Sequence, residues 1–379
     1  MNKPLTLIAA LALGSVALPG VATAQYAHAP FFDHPVELSQ AYGLETIALK
    51  LDLASAFAAP YEDELIEGIE GMTGAPLARF AGTLAEKNAD LADALSAALA
   101  EVAEAAEEGE DASEAIAEAR ELLDQAYAAV IPQALRNDPA FVGGIIITLL
   151  LAEEGVAEGY EEAVEGQEPW EYPNGWVALQ RVNVLWDEVK GAATEQHLAD
   201  AQEMLDLLAT LYPQATPPES VAGLNPEEAE SPSQRLGGIV ETVVDADLYP
   251  GRDLPRLSGH IAELTEAACA LYPDRDEVAA ETIYAVHDLY AAHLADVAGL
   301  FAPELQEEAD ELFGAMIVAE DDDDDEAGEG ADDQSAATAE ADDDADAEQD
   351  QDDDAQVSAA QACTELSEAF TQLRTALGG

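Results

Sequence analysis

Hydrophobic residues recur every three or four positions along most of the chain, which is the period of an α-helix. The clearest stripe lies in 255–271 and consists of Leu254, Leu257, Ile261, Leu264, Ala268 and Leu271. A matching stripe in 274–300 consists of Ile283, Val286, Tyr290, Leu294 and Val297. The short connection at 273–274 predicts that these two helices form an antiparallel pair. No segment carries a convincing strand or hairpin pattern, so the sequence predicts an all-α fold made of one or more antiparallel helical bundles.

Helix ends are marked by proline and by capping residues. Asp138-Pro139 and Asp253-Leu254-Pro255 place a carboxylate just before a helix and a proline in its first turn. Pro173-Asn174-Gly175 predicts a turn before a helix that starts at Trp176. Together these signals predict about ten helices before the acidic region. They are 37–59, 61–72, 76–108, 110–131, 139–165, 176–190, 194–211, 233–247, 255–271, 274–300 and 303–318.

The first 24 residues have the pattern of an export signal. Lys3 precedes an apolar stretch at 5–18, and Ala22-Thr23-Ala24 forms a small-x-small cleavage site before Gln25. The only other strongly apolar run, 141–152, is shorter than the roughly 20 residues of a membrane span and predicts a buried core helix. We therefore expect a cleaved signal peptide at 1–24 and a periplasmic or secreted protein.

Composition divides the mature chain into further regions. The segment 213–232 contains five prolines and no helical period, which is typical of a linker. The stretch 320–354 contains no Lys, Arg or aromatic residue, which indicates disorder. The predicted regions are an N-terminal helical region at 25–212, a Pro-rich linker at 213–232, a C-terminal helical hairpin region at 233–318, a disordered acidic tract at 319–355 and a C-terminal helix at 356–379.

The charge of the chain is strongly negative, with 80 Asp and Glu residues against 13 Lys and Arg residues and a formal net charge of -67. Nucleic acids and anionic membranes are excluded as direct partners, because binding them requires clustered Lys and Arg. After residue 24 the only lysines are Lys50, Lys87 and Lys190. Repulsion among so many carboxylates is screened at high ionic strength, so we predict a protein adapted to salt, from a halophilic or marine source.

The acidic tract allows several interpretations. Of the 35 residues in 320–354, 20 are Asp or Glu. A solvated linker or salt adaptation is the simplest interpretation. Weak binding of divalent cations is the second, although Ala327 and Gln334 occupy positions where a dedicated calcium loop from Asp323 needs carboxylates. Capture of a basic protein is the third, and mimicry of a nucleic-acid surface is a remote fourth.

Two cysteines, Cys269 and Cys363, stand on opposite sides of the acidic tract. Export permits a disulfide, and the even number of cysteines favours one over two free thiols. A bond between them would attach the C-terminal helix to the bundle and convert the tract into a closed loop. The chain-entropy estimate for closing a loop of nearly a hundred residues is roughly 4 to 5 kcal/mol.

Three histidines are each followed, three residues later, by a carboxylate, which places both side chains on one helix face. Convergence of the pairs would create mixed nitrogen and oxygen ligation suited to iron, zinc or copper. The alternative is that these are core or boundary histidines, because a carboxylate near each histidine is expected by chance in such an acidic chain. The candidate metal ligands are His197 with Asp200, His260 with Glu263 and His293 with Asp296.

The segment 258–263 is similar to the Gly-x-His-x-x-Glu motif of imelysin-type periplasmic proteins, which are helical and linked to iron uptake. Ser258 stands where that motif begins with glycine, and the similarity covers six residues, so it assigns no family. Gly-rich phosphate loops, nucleophile elbows and His-Glu-x-x-His motifs are absent from the sequence. The leading hypothesis is a non-catalytic exported binding or interaction protein without a cofactor. The second is a metal-handling protein, and an unrecognised hydrolase is a distant third.

Overall fold

A computed structural model describes residues 28–317 and 359–377, except for 58, 60, 62, 153–154, 166–170, 219, 222 and 273–274. Within these residues the chain forms α-helices and no β-strand, with one isolated bridge between His28 and Ala246. The predicted all-α class is therefore confirmed. The predicted signal peptide and acidic tract lie outside the described residues.

The described residues form seventeen α-helices. The first nine are α1 (Pro30–Asp33), α2 (Pro35–Ala56), α3 (Asp63–Glu70), α4 (Ala75–Ala78), α5 (Ala81–Glu107), α6 (Ser113–Val130), α7 (Gln133–Arg136), α8 (Pro139–Leu151) and α9 (Glu158–Glu165). The others are α10 (Glu171–Val189), α11 (Glu195–Leu211), α12 (Glu230–Val244), α13 (Leu254–Leu271), α14 (Asp276–His293), α15 (Ala295–Phe301), α16 (Pro303–Met316) and α17 (Ala359–Ala376).

Side-chain caps start several helices where the sequence predicts them. The Asp138 carboxylate accepts a hydrogen bond from the Ala140 backbone N–H at 3.0 Å, and Pro139 occupies the first turn of α8. The Asp253 carboxylate accepts from the Arg256 N–H at 3.2 Å at the start of α13. These caps satisfy backbone donors that have no partner inside the helix.

Several predicted boundaries are wrong. The predicted helix 274–300 is divided at Leu294 into α14 and α15, and the predicted helix 76–108 is divided between α4 and α5. The predicted turn at 173–175 is helical, because α10 starts at Glu171 and proline is tolerated in a first turn, where its missing N–H needs no partner. The predicted helix 139–165 is interrupted, since α8 ends at Leu151 and Ala152 adopts extended backbone. Chain direction then changes through 155–157 before α9 begins.

The first and larger core is built from helices between α2 and α12. Two of them are surrounded: α2 buries Leu44, Ile47 and Leu51 among many others, and α8 buries its apolar residues on all sides. The apolar run 141–152 is therefore a core helix, as predicted. No helix in the described part of the chain is long and apolar enough to cross a membrane.

The second core is formed by α13, α14, α16 and α17 together with residues of α15. It contains most of the two predicted apolar stripes, including Leu257, Ile261, Ile283 and Val286. In contrast, α12 begins at Glu230, inside the predicted Pro-rich linker 213–232, and packs in the first core through Leu236. Whether 213–232 separates two domains stays a prediction. The two cores meet where α14 packs against α2, α4 and α5.

Candidate functional site

The predicted disulfide is present between Cys269 on α13 and Cys363 on α17. Their Cα atoms are 5.5 Å apart, and 94 positions separate them in the sequence. Cys363 is fully buried in the second core, and α17 packs along α13 and α16. Because α16 ends at Met316, both flanks of the acidic tract are attached to the same core.

The first predicted histidine pair is separate from the other two. His197 and Asp200 lie on α11, which packs on α12 and α10 in the first region. Asp200 accepts a hydrogen bond from the Gln196 side-chain amide at 2.7 Å. His260 and His293 instead lie on α13 and α14, on helices of the second core.

His260 and His293 both contact the short N-terminal helix α1. The His260 ring lies 5.3 Å from the Phe32 ring, and the His293 ring lies 6.1 Å from the Phe31 ring in an edge-to-face contact. Burial lowers the pKa of His293 to about 4. Burial also lowers the pKa of His260, partly opposed by the Glu263 carboxylate on the same helix. Both histidines therefore serve as packing partners of an aromatic segment.

The metal site stays a prediction. No group of three or more His, Cys, Asp and Glu side chains within the described residues is arranged to hold a metal ion. The side chain of Asp296 lies outside the described part of the chain. The structure thus brings His260 and His293 to one segment, α1, and places His197 elsewhere.

A cluster of buried and partly buried polar residues that the sequence did not predict lies between the two cores. We call it the polar seam, and its members are Ser39, Gln40, Arg79, Thr83, Glu281 and Asp288. Its central group is the Glu281 carboxylate on α14, which is fully buried. One oxygen accepts from the Thr83 backbone N–H at 2.6 Å, and the other accepts from the Thr83 hydroxyl at 2.5 Å and the Gln40 amide at 2.9 Å. Burial raises the pKa of Glu281 in spite of these donors.

The second part of the seam is centred on the guanidinium of Arg79, at the end of α4. Its Nη1 donates to the Asp288 carboxylate at 2.6 Å and to the Ser39 hydroxyl at 3.3 Å. Its planar group also lies about equally far from two rings, 5.1 Å from Tyr42 and 4.9 Å from Tyr284. An Arg held by a carboxylate and by aromatic faces is strongly positioned.

Sequence reasoning missed the seam for a physical reason. Glu281, Ala285 and Asp288 follow the spacing of one helix face, opposite the apolar stripe of α14. A polar line of that kind normally faces water, and nothing in its spacing distinguishes a buried face from a solvated one. The partners come from 39–40 and 79–83, about two hundred positions earlier in the chain.

The few basic residues are concentrated in ion pairs between helices. Arg181 on α10 makes two hydrogen bonds, at 2.6 and 2.7 Å, to the buried Glu45 carboxylate of α2. Arg252 does the same, at 2.5 and 2.7 Å, with the buried Glu241 of α12. Buried carboxylates need such partners, since an isolated buried charge is strongly destabilising.

Comparison with known proteins found no match: no family model, no curated protein and no solved structure is similar to this chain. Function is therefore argued from the residues and geometry described above.

Proposed function

We propose that this protein is an exported, non-catalytic interaction protein that presents a looped polyanion from a helical scaffold and works at high salt. Its partners are cations or a basic protein. The observation that supports this proposal best is the Cys269–Cys363 disulfide, which attaches α17 to the second core on the far side of the acidic tract. Twenty carboxylates in 320–354 are consequently held at both flanks by one body.

Double attachment matters because holding both flanks on one body limits how far the carboxylates of the tract can separate from one another. Single carboxylates bind cations or lysine side chains weakly in water, whereas a row of them on one tether acts as a multivalent ligand. The disulfide is also consistent with an oxidising compartment, as expected for an exported protein.

The use of basic residues supports the adaptation to salt. Arg181 and Arg252 neutralise the buried carboxylates Glu45 and Glu241, so they do not compensate the charge of the exposed acidic side chains. The outer surface then relies on dissolved ions for screening.

The test is to replace the 20 acidic residues of 320–354 by Asn and Gln, keeping length and both cysteines. Calorimetric titration with a lysine-rich peptide and, separately, with Ca²⁺ should show binding to the wild type that weakens with salt. We expect the substituted protein to lose at least about tenfold in affinity for the peptide. A control variant neutralises exposed carboxylates on α5 and α6 instead. Equal affinity of all three proteins would contradict the proposal.

Metal handling is the second candidate, and one observation favours it: the Nε2 atom of His260 is buried and has no hydrogen-bond partner among the described residues. Metal analysis of untagged protein purified without chelators tests it. Iron, zinc or copper near one equivalent, lost in the double variant His260→Ala/His293→Ala, is the supporting result. Protein free of metal, with a melting temperature unchanged by added metal, removes this candidate.

A further inference from the structure

The two cores are covalently joined through one short stretch of chain, 249–253. The first core ends at Leu248, and the second begins at Leu257. The disulfide does not tie the cores to each other, because both of its cysteines belong to helices of the second core. Chain connectivity therefore allows α13–α17 to move as one body relative to the rest of the molecule.

The face that α14 turns toward the first region differs from the face it turns toward its own core. Ile283, Val286 and Tyr290 pack into the second core. Ala279, Tyr284 and Ala285 are also buried, yet they belong to neither core. Burial of this second face depends on its contact with α2, α4 and α5, where the polar seam lies.

The contact surface between the two cores is mixed: separation would expose the small residues Ala279 and Ala285 and the Tyr284 ring, and it would also expose the polar seam. Carboxylate, guanidinium, amide and hydroxyl groups face each other across it, and water can replace each of these partners. The apolar cores, which provide most of the stability, stay closed when the seam opens. Phe31 and Phe32 of α1 also contact the second core, and these contacts must break when the second core detaches.

We infer that the polar seam is a releasable latch: the second core with α13–α17 detaches from the remainder of the molecule as a folded body and returns to it, with 249–253 as the pivot. This inference goes beyond the proposed function and does not depend on it. Interfaces of this polar character within one chain commonly permit relative motion of the bodies they join.

Arg79 and Glu281 hold the latch closed. Arg79 connects α4 to Asp288 and to the Tyr284 ring, so its loss removes the charged partner of a partly buried carboxylate and the cation that lies against that ring. Glu281 takes its hydrogen bonds from the neutral groups of Thr83 and Gln40. The Glu86 carboxylate and the Arg275 guanidinium, which are bonded to each other, are the charged groups that act on Glu281.

Thiol labelling in the native state tests the latch. The oxidised protein has no free cysteine, so Ala285→Cys introduces a single buried reporter in the seam. Ala178→Cys in the first core and Ala309→Cys in the second core are matched controls, because all three alanines are almost fully buried. We expect a maleimide reagent to label the seam reporter at least about tenfold faster than either control, since the seam opens without unfolding.

Arg79→Met in each reporter background sharpens the test. It should accelerate labelling of the seam cysteine by at least about a further tenfold and leave both core cysteines unchanged. Ala279→Cys serves as a second seam reporter if Ala285→Cys perturbs packing. Equal labelling rates at the seam and in the cores, with equal dependence on urea, would show that the seam opens only in global unfolding and would overturn the inference.

Discussion

The first and second cores differ in what stabilises them: the first depends on extensive burial of hydrophobic residues, and the second combines a small hydrophobic core with a disulfide. Among the described residues, the first core contains 58 buried hydrophobic residues and no disulfide, and the second contains 17 and one disulfide. A small core buries too little apolar surface to offset the entropy of ordering its helices, so small bodies commonly depend on a covalent bond. The comparison teaches that the disulfide is located where apolar burial is weakest.

Among the helices of the second core, α17 depends most on the disulfide. This helix supplies five of the 17 residues of the second core, namely Ala362, Cys363, Leu366, Phe370 and Leu373. It follows α16 in the structure only after 42 further residues, 317–358, so docking it closes a long loop. The disulfide stabilises that docking chiefly by restricting the unfolded chain.

Removal of the disulfide should lower the stability more than any other change. It should also make the two cores unfold at different urea concentrations. We expect Cys269→Ala/Cys363→Ala to destabilise the second core by about 4 to 5 kcal/mol, from the loop-closure estimate. All three tryptophans of the chain, at 170, 176 and 186, precede the second core in sequence. Urea unfolding followed by circular dichroism should therefore begin earlier in the variant, while the tryptophan transition stays in place. Equal shifts of both signals would show that the cores unfold as one.

Truncating one aromatic residue in either core should destabilise that core and leave the unfolding of the other unchanged. Phe370→Ala and Phe141→Ala each remove a fully buried ring, at an expected cost of about 3 to 5 kcal/mol. Phe370→Ala should lower the urea midpoint of the circular-dichroism change that reports the second core. Phe141→Ala should lower the urea midpoint of the tryptophan signal, which reports the first core. Phe301→Ala is the control, because that ring is 70% exposed and should change stability little.

Acid should weaken the second core through His293. Its pKa in the folded protein lies near 4, below the ordinary value of 6.5, so the unfolded chain binds a proton more readily. Stability from this residue is complete above pH 6.5 and is lost as the pH falls toward 4, by up to about 3 kcal/mol. His293→Gln should remove this part of the pH dependence of unfolding. Equal pH dependence of unfolding in the wild type and in His293→Gln would contradict the assignment.

Salt should have the smallest effect and should again differ between the cores. We expect the melting temperature to rise by a few degrees, about 3 °C, between 0.05 M and 2 M KCl, because salt screens repulsion among carboxylates. The rise should be larger for the second core, which carries the 20 acidic residues of 320–354. Differential scanning calorimetry measures it. A melting temperature that is unchanged or lower in 2 M KCl would exclude adaptation to salt.

Prediction from sequence was correct for features that residues close together in the chain determine, such as the start of a helix or the burial of an apolar run. The Asp138-Pro139 start and the apolar run 141–152 are local signals, and the structure confirms both. The turn predicted at 173–175 is wrong because a proline in a first helical turn and a proline in a turn have the same local preferences. The disulfide was predicted from compartment and cysteine number, and its geometry follows only from the docking of α17.

What the sequence determined by itself is the helical class, the excess of negative charge and the pairing of the only two cysteines. Each follows from periodicity, composition or number, which need no knowledge of neighbours in space. Tertiary structure alone decided that Glu281 is buried, that Arg79 lies between two tyrosines, and that His260 and His293 meet α1. The physical reason is that a polar side chain has the same helical spacing on a solvated face and on a buried one, and only the packing of distant helices distinguishes them.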